Sequence, residues 1–205
     1  MRWPCIRTPP PSGSRRVRPR IRPPAAAAAS TTVRRPEGGR MDVPAPPIVN
    51  ERGERLLAFR PASADPPSPP RFALALLLRQ SRVLLVHNAR RDVWELPGGW
   101  IDPGESARDC ARREFREETG WRANHLSLRG WVLVGRGHEA PGDTCAGAVF
   151  AVRGRRVAPR AADGEILAAT RWPLDALPPQ TSAIDRWLIA RIAAAGHDRG
   201  RLGAP

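Results

Sequence analysis

The chain has 205 residues and a formal net charge of +14, from 34 basic and 20 acidic residues. This length is enough for one substantial core and argues against two full domains. The charge is unevenly placed, since residues 1–40 hold ten arginines and one acid, whereas the remaining residues hold 24 arginines and 19 acids. Every basic residue is arginine, which is a compositional bias of the whole chain. The charge alone therefore does not indicate nucleic-acid binding, and no apolar run reaches the roughly 20 residues of a membrane-spanning helix.

The amino-terminal region is rich in arginine, proline and alanine, and residues 1–40 are expected to be disordered. Its five consecutive alanines are too short and too weakly apolar for a signal-peptide core. We favour Met41 as the true start, or a tail without function, over an organelle transit segment. Three cysteines without metal-ligand spacing suit a reducing compartment, so a cytoplasmic location is expected.

From residue 41 onward the apolar pattern predicts one α/β domain. Residues 41–70 are expected to form a hairpin and a proline-rich linker, residues 71–196 the main domain, and residues 197–205 a disordered tail. Strands are predicted at 72–78, 83–86, 128–134, 146–152 and 166–172, and a closing helix at 183–195. Strands on both sides of one central helix, followed by this closing helix, indicate a mixed β-sheet between helices.

The central helix carries its charges in an unusual arrangement. Glu114, Glu117 and Glu118 are spaced i, i+3 and i+4, so they share one side of the helix. On a wheel of about 100° per residue they fall in the apolar stripe or at its edge, while Arg108, Arg112 and Arg116 fall opposite. Carboxylates that point toward the protein body need a partner or a metal. Hard cations such as Mg²⁺ prefer such oxygen ligands, usually with phosphates completing the shell.

Capping residues mark both ends of this helix. Ser106 followed by Asp109 fits the capping pattern of a helix start. Gly120 lies just past the last periodic residue, where a helix-terminating glycine is expected. Residues 96–104 are rich in turn formers and predict a loop. Such a loop brings backbone close to whatever the carboxylates bind.

Residues 99–121 resemble a family signature, the Nudix box G-x5-E-x7-R-E-U-x-E-E-x-G-U, in which U is a bulky apolar residue. Every fixed position is filled, by Gly99, Glu105, Arg113, Glu114, Phe115, Glu117, Glu118, Gly120 and Trp121. Residues 94–98 also resemble the lead-in common in the family, and the strand pattern extends the resemblance to about residues 70–195. The resemblance implies an α/β/α sandwich that uses Mg²⁺ or Mn²⁺ to cleave a nucleoside diphosphate linked to another moiety.

The resemblance also implies roles for individual residues. Glu114 and Glu118 are expected to be primary metal ligands, and Glu117 a ligand or a residue that orients one. The backbone carbonyl of Gly99 is implied as a further ligand, because the missing side chain permits close approach. Arg113, one helical turn before Glu117, is expected to hold a carboxylate through a forked pair of hydrogen bonds.

Two further acids, Glu105 and Glu165, have expected roles outside the metal-ligand set. Glu105 is expected to stabilise the loop and the start of the helix rather than bind the metal. The general base stays open between a glutamate of the box and a later acid. Glu165 resembles the acid often found before the last core strand in the family, and it is the candidate outside the box.

The candidates for substrate binding lie near the signature. Arg90 and Arg91 form a basic pair that can grip phosphates, although plain surface charge explains such a pair equally well. Trp100 lies in the predicted catalytic loop and is the aromatic residue best placed to stack on a base. Trp131 and Phe150 fall in predicted strands and are expected in the core.

The expected activity is hydrolysis of a nucleotide-type small molecule. A proline near position 136 and a downstream tyrosine are typical of the ADP-ribose and dinucleoside-polyphosphate branches, and both are absent here. A nucleoside triphosphate, such as the oxidised nucleotide 8-oxo-dGTP, is therefore the main prediction. Two alternatives stay open: an RNA 5′-end pyrophosphohydrolase anchored by the basic tail, and a non-catalytic ligand sensor. Nucleic acid and membranes are not the expected partners, and a homodimer is compatible with the family, although the sequence identifies no interface.

Overall fold

The computed structural model describes residues 48–136, 144–157 and 164–201, except for the side chains of residues 136 and 196–201. The predictions for residues 1–40 and 202–205 lie outside these ranges. In chain order the elements are β1 (Ile48–Val49), β2 (Glu54–Pro61), β3 (Pro70–Leu76), β4 (Leu78–Arg79), β5 (Arg82–Asn88), β6 (Val93–Glu95), β7 (Gly98–Trp100), α1 (Ala107–Thr119), β8 (Trp121–Arg136), β9 (Thr144–Arg156), β10 (Ile166–Pro173) and α2 (Ala183–Arg201). The described helices include none that is long and apolar enough to cross a membrane.

The strands form two sheets rather than the one sheet that the sequence predicted. The larger sheet has the order β1-β2-β8-β9-β3-β7, and it is mixed because β3 and β9 run parallel while the other neighbours are antiparallel. The smaller sheet has the order β10-β5-β4, with β6 also paired to β5, and all its pairs are antiparallel. The sequence could not separate the two sheets, since apolar strand patterns do not reveal pairing partners.

Two apolar cores explain how the helices enclose the sheets. Along β3, Ala73 and Ala75 join one core with Phe115 of α1, whereas Leu76 joins the other with Leu188 of α2. Because successive side chains of a strand point to opposite faces, one strand serves both cores. The result is an α/β/α sandwich, as the sequence predicted.

The caps of α1 agree with the prediction. The Ser106 side chain accepts a hydrogen bond from the Asp109 backbone nitrogen at 3.1 Å. Gly120 ends the helix with φ +72°, and its backbone nitrogen donates to the Arg116 carbonyl at 2.9 Å. A positive φ strains most side chains, so glycine suits this position.

Several elements depart from their predicted bounds. The turn-rich segment 96–104 contains strand β7, because Gly98 has no side chain to prevent its close approach to β3. A Cβ atom on Gly98 would overlap the Ala73 carbonyl oxygen and lie 2.7 Å from Leu74 Cδ2. Strand β8 begins directly after α1, since its early residues pair with the far end of β9. Helix α2 continues to Arg201, six residues beyond the predicted end.

Candidate active site

Helix α1 presents the three box glutamates in different environments. The Glu114 side chain is 16% exposed and the Glu117 side chain 59% exposed. Glu118 is partly buried and accepts a hydrogen bond from the Gly98 backbone nitrogen at 2.9 Å. The structure therefore brings Glu114 and Glu118 against β7, while Glu117 faces solvent at the rim.

Burial raises the pKa of both Glu114 and Glu118, and for Glu118 the rise is large. The charge of Glu114 adds to the rise at Glu118, while the Gly98 hydrogen bond opposes it. The two ionised carboxylates repel each other, and burial reduces the screening of this repulsion by water. A cation between them would stabilise both ionised groups. The electrostatics of this pair thus favour an occupant of positive charge.

Glu114 and Glu118 do not by themselves fill the coordination shell of Mg²⁺ or Mn²⁺, so water or substrate oxygens must complete it. Within the described ranges no group of three carboxylate, imidazole or thiol side chains could hold one metal ion. Mg²⁺ commonly uses one or two protein carboxylates, with waters and substrate phosphates filling the other positions. Glu114 and Glu118, with nearby backbone carbonyls, match that pattern.

Arg113 ties the loop before α1 to the carboxylates. Its Nε and Nη2 atoms donate to the two carboxylate oxygens of Glu105 at 2.9 and 2.8 Å, which is a forked pair. Its Nη1 donates to Glu114 at 2.7 Å, and its Nη2 also donates to the Trp100 carbonyl at 3.1 Å. Glu117 is farther away, with 3.6 Å between its Oε2 and Arg113 Nη1. The fork therefore holds Glu105 rather than Glu117, and it lowers the pKa of the Glu105 carboxyl.

Replacing Arg113 with lysine should lower both stability and turnover. Lysine keeps the charge but cannot form the fork, so Glu105 and Glu114 lose fixed partners. Hydrogen bonds to charged groups typically contribute about 1.5–3 kcal/mol, and we expect a loss of free energy of unfolding in that range. Chemical denaturation and kcat measurements check this. Arg112→Lys is the matched control, because Arg112 pairs only with the exposed Asp109 among the described contacts, and an equal effect there would contradict the assignment.

The Gly99 backbone lies directly against Glu114. A Cβ atom on Gly99 would overlap Glu114 Oε1 and lie 2.6 Å from its Cδ. The Gly99 carbonyl accepts a weak hydrogen bond from Cys110 Sγ at 3.4 Å. Burial raises the pKa of Cys110 to about 12, so the thiol keeps its proton and can donate. A carbonyl oxygen has a second lone pair, and Gly99 can therefore still serve as a ligand.

Strand β6 adds an acid that the sequence analysis did not assign to the site. Glu95 accepts hydrogen bonds from Asn88 Nδ2 at 3.0 Å and from Arg91 Nη1 at 2.7 Å. Its charge raises the pKa of Glu118, as does the charge of Glu165. Glu165 is exposed just before β10, whose first residue, Ile166, pairs with Asn88, the hydrogen-bond partner of Glu95. The lead-in residues before the box carried the only sequence signal for Glu95.

Helix α2 contributes a buried aspartate, Asp185, that interacts electrostatically with Glu95. Asp185 is 8% exposed and accepts hydrogen bonds from the Leu96 backbone and from Ser182. Burial raises its pKa from 3.8 to about 8, and the charge of Glu95 adds to this rise. Asp185 could not be recognised as unusual from the sequence, because an acid in the first turn of a helix is common.

Asp185 should make folding stability depend on pH. Since its pKa is raised in the folded state, from 3.8 to about 8, its contribution to the free energy of unfolding is complete below pH 4 and is lost as the pH rises through 8. Asp185→Asn is therefore expected to gain at least about 1 kcal/mol over the parent chain above the folded pKa and to match it in acid. Denaturant titrations at both pH values measure this, with exposed Asp175→Asn as control. An Asp185→Asn effect independent of pH would contradict the assignment.

The predicted substrate residues differ in exposure and in their contacts. Arg91 is engaged with Glu95, whereas Arg90 is exposed in the turn between β5 and β6. Trp100 is 38% exposed, and its ring meets Phe72 edge-on with centroids 6.1 Å apart. Phe150 is buried as expected, and Trp131 is partly buried with its indole nitrogen donating to the Ala64 carbonyl at 2.9 Å.

Comparison with known proteins identifies the family. A profile of the NUDIX domain matches residues 67–192. The chain belongs to the NUDIX family, and its fold is that of Nudix hydrolases. A crystal structure of the Bacillus subtilis pyrophosphohydrolase BsRppH, in mutant form, aligns over 74% of this chain and 96% of its own, with a TM-score of 0.57 and 20% identity. At that identity the likeness concerns the fold.

Two curated relatives differ in their activities. The human 8-oxo-dGDP phosphatase NUDT18 is 30% identical over 153 residues, which are 68% of this chain and 45% of that protein. An RNA pyrophosphohydrolase of Ruthia magnifica subsp. Calyptogena magnifica is 43% identical over 49 residues, which are 24% of this chain and 27% of that protein. The chain thus spans less than half the length of these curated relatives.

Proposed function

We propose that the chain is a Mg²⁺-dependent hydrolase that cleaves the pyrophosphate bond of a nucleoside triphosphate, with an oxidised deoxynucleotide as the main candidate. The observation that carries this proposal is the pair Glu114 and Glu118, two mutually repelling carboxylates held against the glycine backbone of β7. Mn²⁺ shares the same ligand preferences and is the alternative ion.

Different residues of the chain have different roles in the proposed hydrolysis. Gly98 fixes Glu118, and Arg113 fixes Glu114, so both carboxylates are held before substrate arrives. Bound Mg²⁺ would supply charge neutralisation at the phosphoryl oxygens and a lowered pKa for a water molecule. In the reaction, the water oxygen bonds to phosphorus, its proton passes to a base, and the bridging oxygen leaves with the electron pair of the broken bond.

We assign the base to Glu117 or Glu165, both of which are exposed near the carboxylate pair. The two variants Glu117→Gln and Glu165→Gln separate them. Loss of the base removes the acidic limb of the pH–rate profile, whereas loss of a neighbouring charge only shifts it.

The choice of substrate rests on the relatives. Support for an oxidised guanine nucleotide comes from the human relative, whose name specifies 8-oxo-dGDP and which aligns over two thirds of this chain. An RNA 5′ end is the second candidate, supported by the bacterial relative over a quarter of this chain. A chain that begins at Met41 and keeps full activity on RNA would remove any role for the basic tail. Against a ligand sensor stands the complete set of box carboxylates.

A substrate panel tests the proposal. The purified chain is incubated with Mg²⁺ and 8-oxo-dGTP, 8-oxo-dGDP, dGTP, ADP-ribose or triphosphorylated RNA, and release of phosphate and pyrophosphate is followed. We expect turnover that a chelator abolishes and that is fastest with an oxidised triphosphate. Absence of turnover from a folded chain whose melting temperature rises with Mg²⁺ would favour the sensor, and light scattering would show whether a homodimer forms.

A further inference from the structure

Acidic and basic residues are segregated along strand β5. Its carboxyl end, at Asn88, lies beside Glu95 and Glu165. Its amino end lies among arginines, with Arg82 opposite Arg79 on β4. Strands β4, β5, β8, β9 and β10 contain no aspartate or glutamate at all. The compositional bias of the chain explains why its cations are arginine, but not why five strands lack acids.

Like charges face each other directly at this basic end. Arg79 pairs with Arg82 across β4 and β5, and Arg122 pairs with Arg155 across β8 and β9. Directly opposed like charges destabilise a sheet by a few tenths of a kcal/mol to about 1 kcal/mol per pair. An anion bound between such strands would relieve that repulsion.

A cavity of about 300 Å³ opens among these strands, where the two sheets separate. Its described lining includes Arg79, Arg153 and Arg171, which come from β4, β9 and β10. The rest of that lining is the indole of Trp121, the backbone of Gly154 and the apolar side chains of Leu77, Leu78 and Val152. The described lining residues include no carboxylate.

Of the three lining arginines, Arg171 has a guanidinium that is held in place by a backbone carbonyl. Arg171 Nη2 donates to the Arg79 carbonyl at 2.7 Å, which joins β10 to β4. Arg82 Nη1 in turn donates to the Arg171 carbonyl at 3.3 Å. A guanidinium already held by the backbone loses less conformational entropy when it binds an anion.

We propose that this cavity binds a phosphate-bearing small molecule of mononucleotide size, at a site separate from the catalytic carboxylates. Guanidinium groups match phosphate oxygens, and an indole offers a face for a base or another flat apolar group. The volume lies at the lower limit for small-molecule sites, which suits a mononucleotide. Arg171 pairs with Leu84, four residues before Asn88, so about 13 Å of strand separates the cavity from the acidic end.

The shape of the cavity favours a small ligand over a nucleic-acid strand. Single strands are bound along extended basic grooves with a series of aromatic platforms. This cavity offers one indole and a bounded volume. Tighter binding of an RNA strand is therefore the competing outcome of the test.

Calorimetric titration of the full chain with GMP, in the presence of a chelator, tests the proposal. Without metal the catalytic carboxylates repel phosphates, so binding reports on the cavity. We expect saturable binding of one GMP per chain, weaker binding of inorganic phosphate, and at least a tenfold loss of affinity in Arg153→Gln. Arg60→Gln, a matched change at an exposed arginine of β2 outside the cavity, should bind as the parent chain does.

Three results would overturn the proposal: no saturable binding of GMP, equal affinity in Arg153→Gln and Arg60→Gln, or tighter binding of a short single-stranded RNA than of GMP. Arg79→Gln serves as the second variant if Arg153→Gln lowers the melting temperature. Neither arginine contacts the catalytic carboxylates, so failure here leaves the proposed hydrolase activity untouched.

Discussion

Replacing Glu118 with glutamine should lower kcat/KM by roughly 10²–10³, the range typical for removing one electrostatic stabiliser of a transition state. Glutamine has nearly the same shape and can still accept the Gly98 hydrogen bond. The substitution therefore removes the negative charge and leaves the contact with β7. Steady-state kinetics at saturating Mg²⁺ measure the loss.

The same variant should be more stable than the parent chain at neutral pH in the absence of metal. Burial and the charges of Glu114, Glu95 and Glu165 raise the pKa of Glu118, so its ionised form opposes folding as the pH rises. Glutamine does not ionise, so the variant does not lose this free energy of unfolding. Activity lost together with stability would mean that the variant is misfolded, and activity retained would exclude Glu118 as a ligand.

Replacing Gly99 with alanine should abolish most activity at a modest cost in stability. The added methyl group would occupy the place of the Glu114 carboxylate, so Glu114 must move away from Arg113 and β7. Overpacking of this kind typically costs about 1–3 kcal/mol of stability. We expect kcat/KM to fall by at least about a hundredfold, since small misplacements of a catalytic group have that effect.

Gly53→Ala is the control for this change. Gly53 lies in the turn before β2 with φ +72°, and a Cβ atom there would meet nothing within 4 Å. Alanine at this position should lower the melting temperature through backbone strain and leave kcat/KM unchanged. Comparable activity loss in both glycine variants would show that the effect comes from destabilisation rather than from displacement of Glu114.

Local signals predicted much of the site. Ser106 and Gly120 bound α1 because capping depends on near neighbours in the chain, and the spacing of the three glutamates follows from the helix repeat. The partner of Arg113 could not be predicted this way, because Glu105 reaches it only through the path of the intervening loop. Glu95 and Asp185 were missed for the same reason, since hydrogen bonds of Trp94 to residues 180 and 182 bring the start of α2 to β6.

The separation of the sheets shows a similar limit. The apolar runs of β3 and β5 look alike in sequence, yet β3 pairs with β9 and β5 with β10. Pairing depends on contacts between distant parts of the chain, and a single sequence does not record them. In segment 96–104 the local sequence favours a turn, but pairing with β3 places residues 98–100 in a strand.

The position of β3 also has a consequence for how the chain folds. The contacts of Gly98, Gly99 and Trp100 with α1 join residues close in sequence, so a hairpin-like unit of β7 and α1 can form early. The parallel pairing of Ala73 with Ala148 must instead close a long loop. We therefore expect that docking of β9 onto β3 limits the folding rate. Substitutions on β9 and within the early unit of β7 and α1 should then slow refolding, because contacts that are formed by the transition state alter the folding rate.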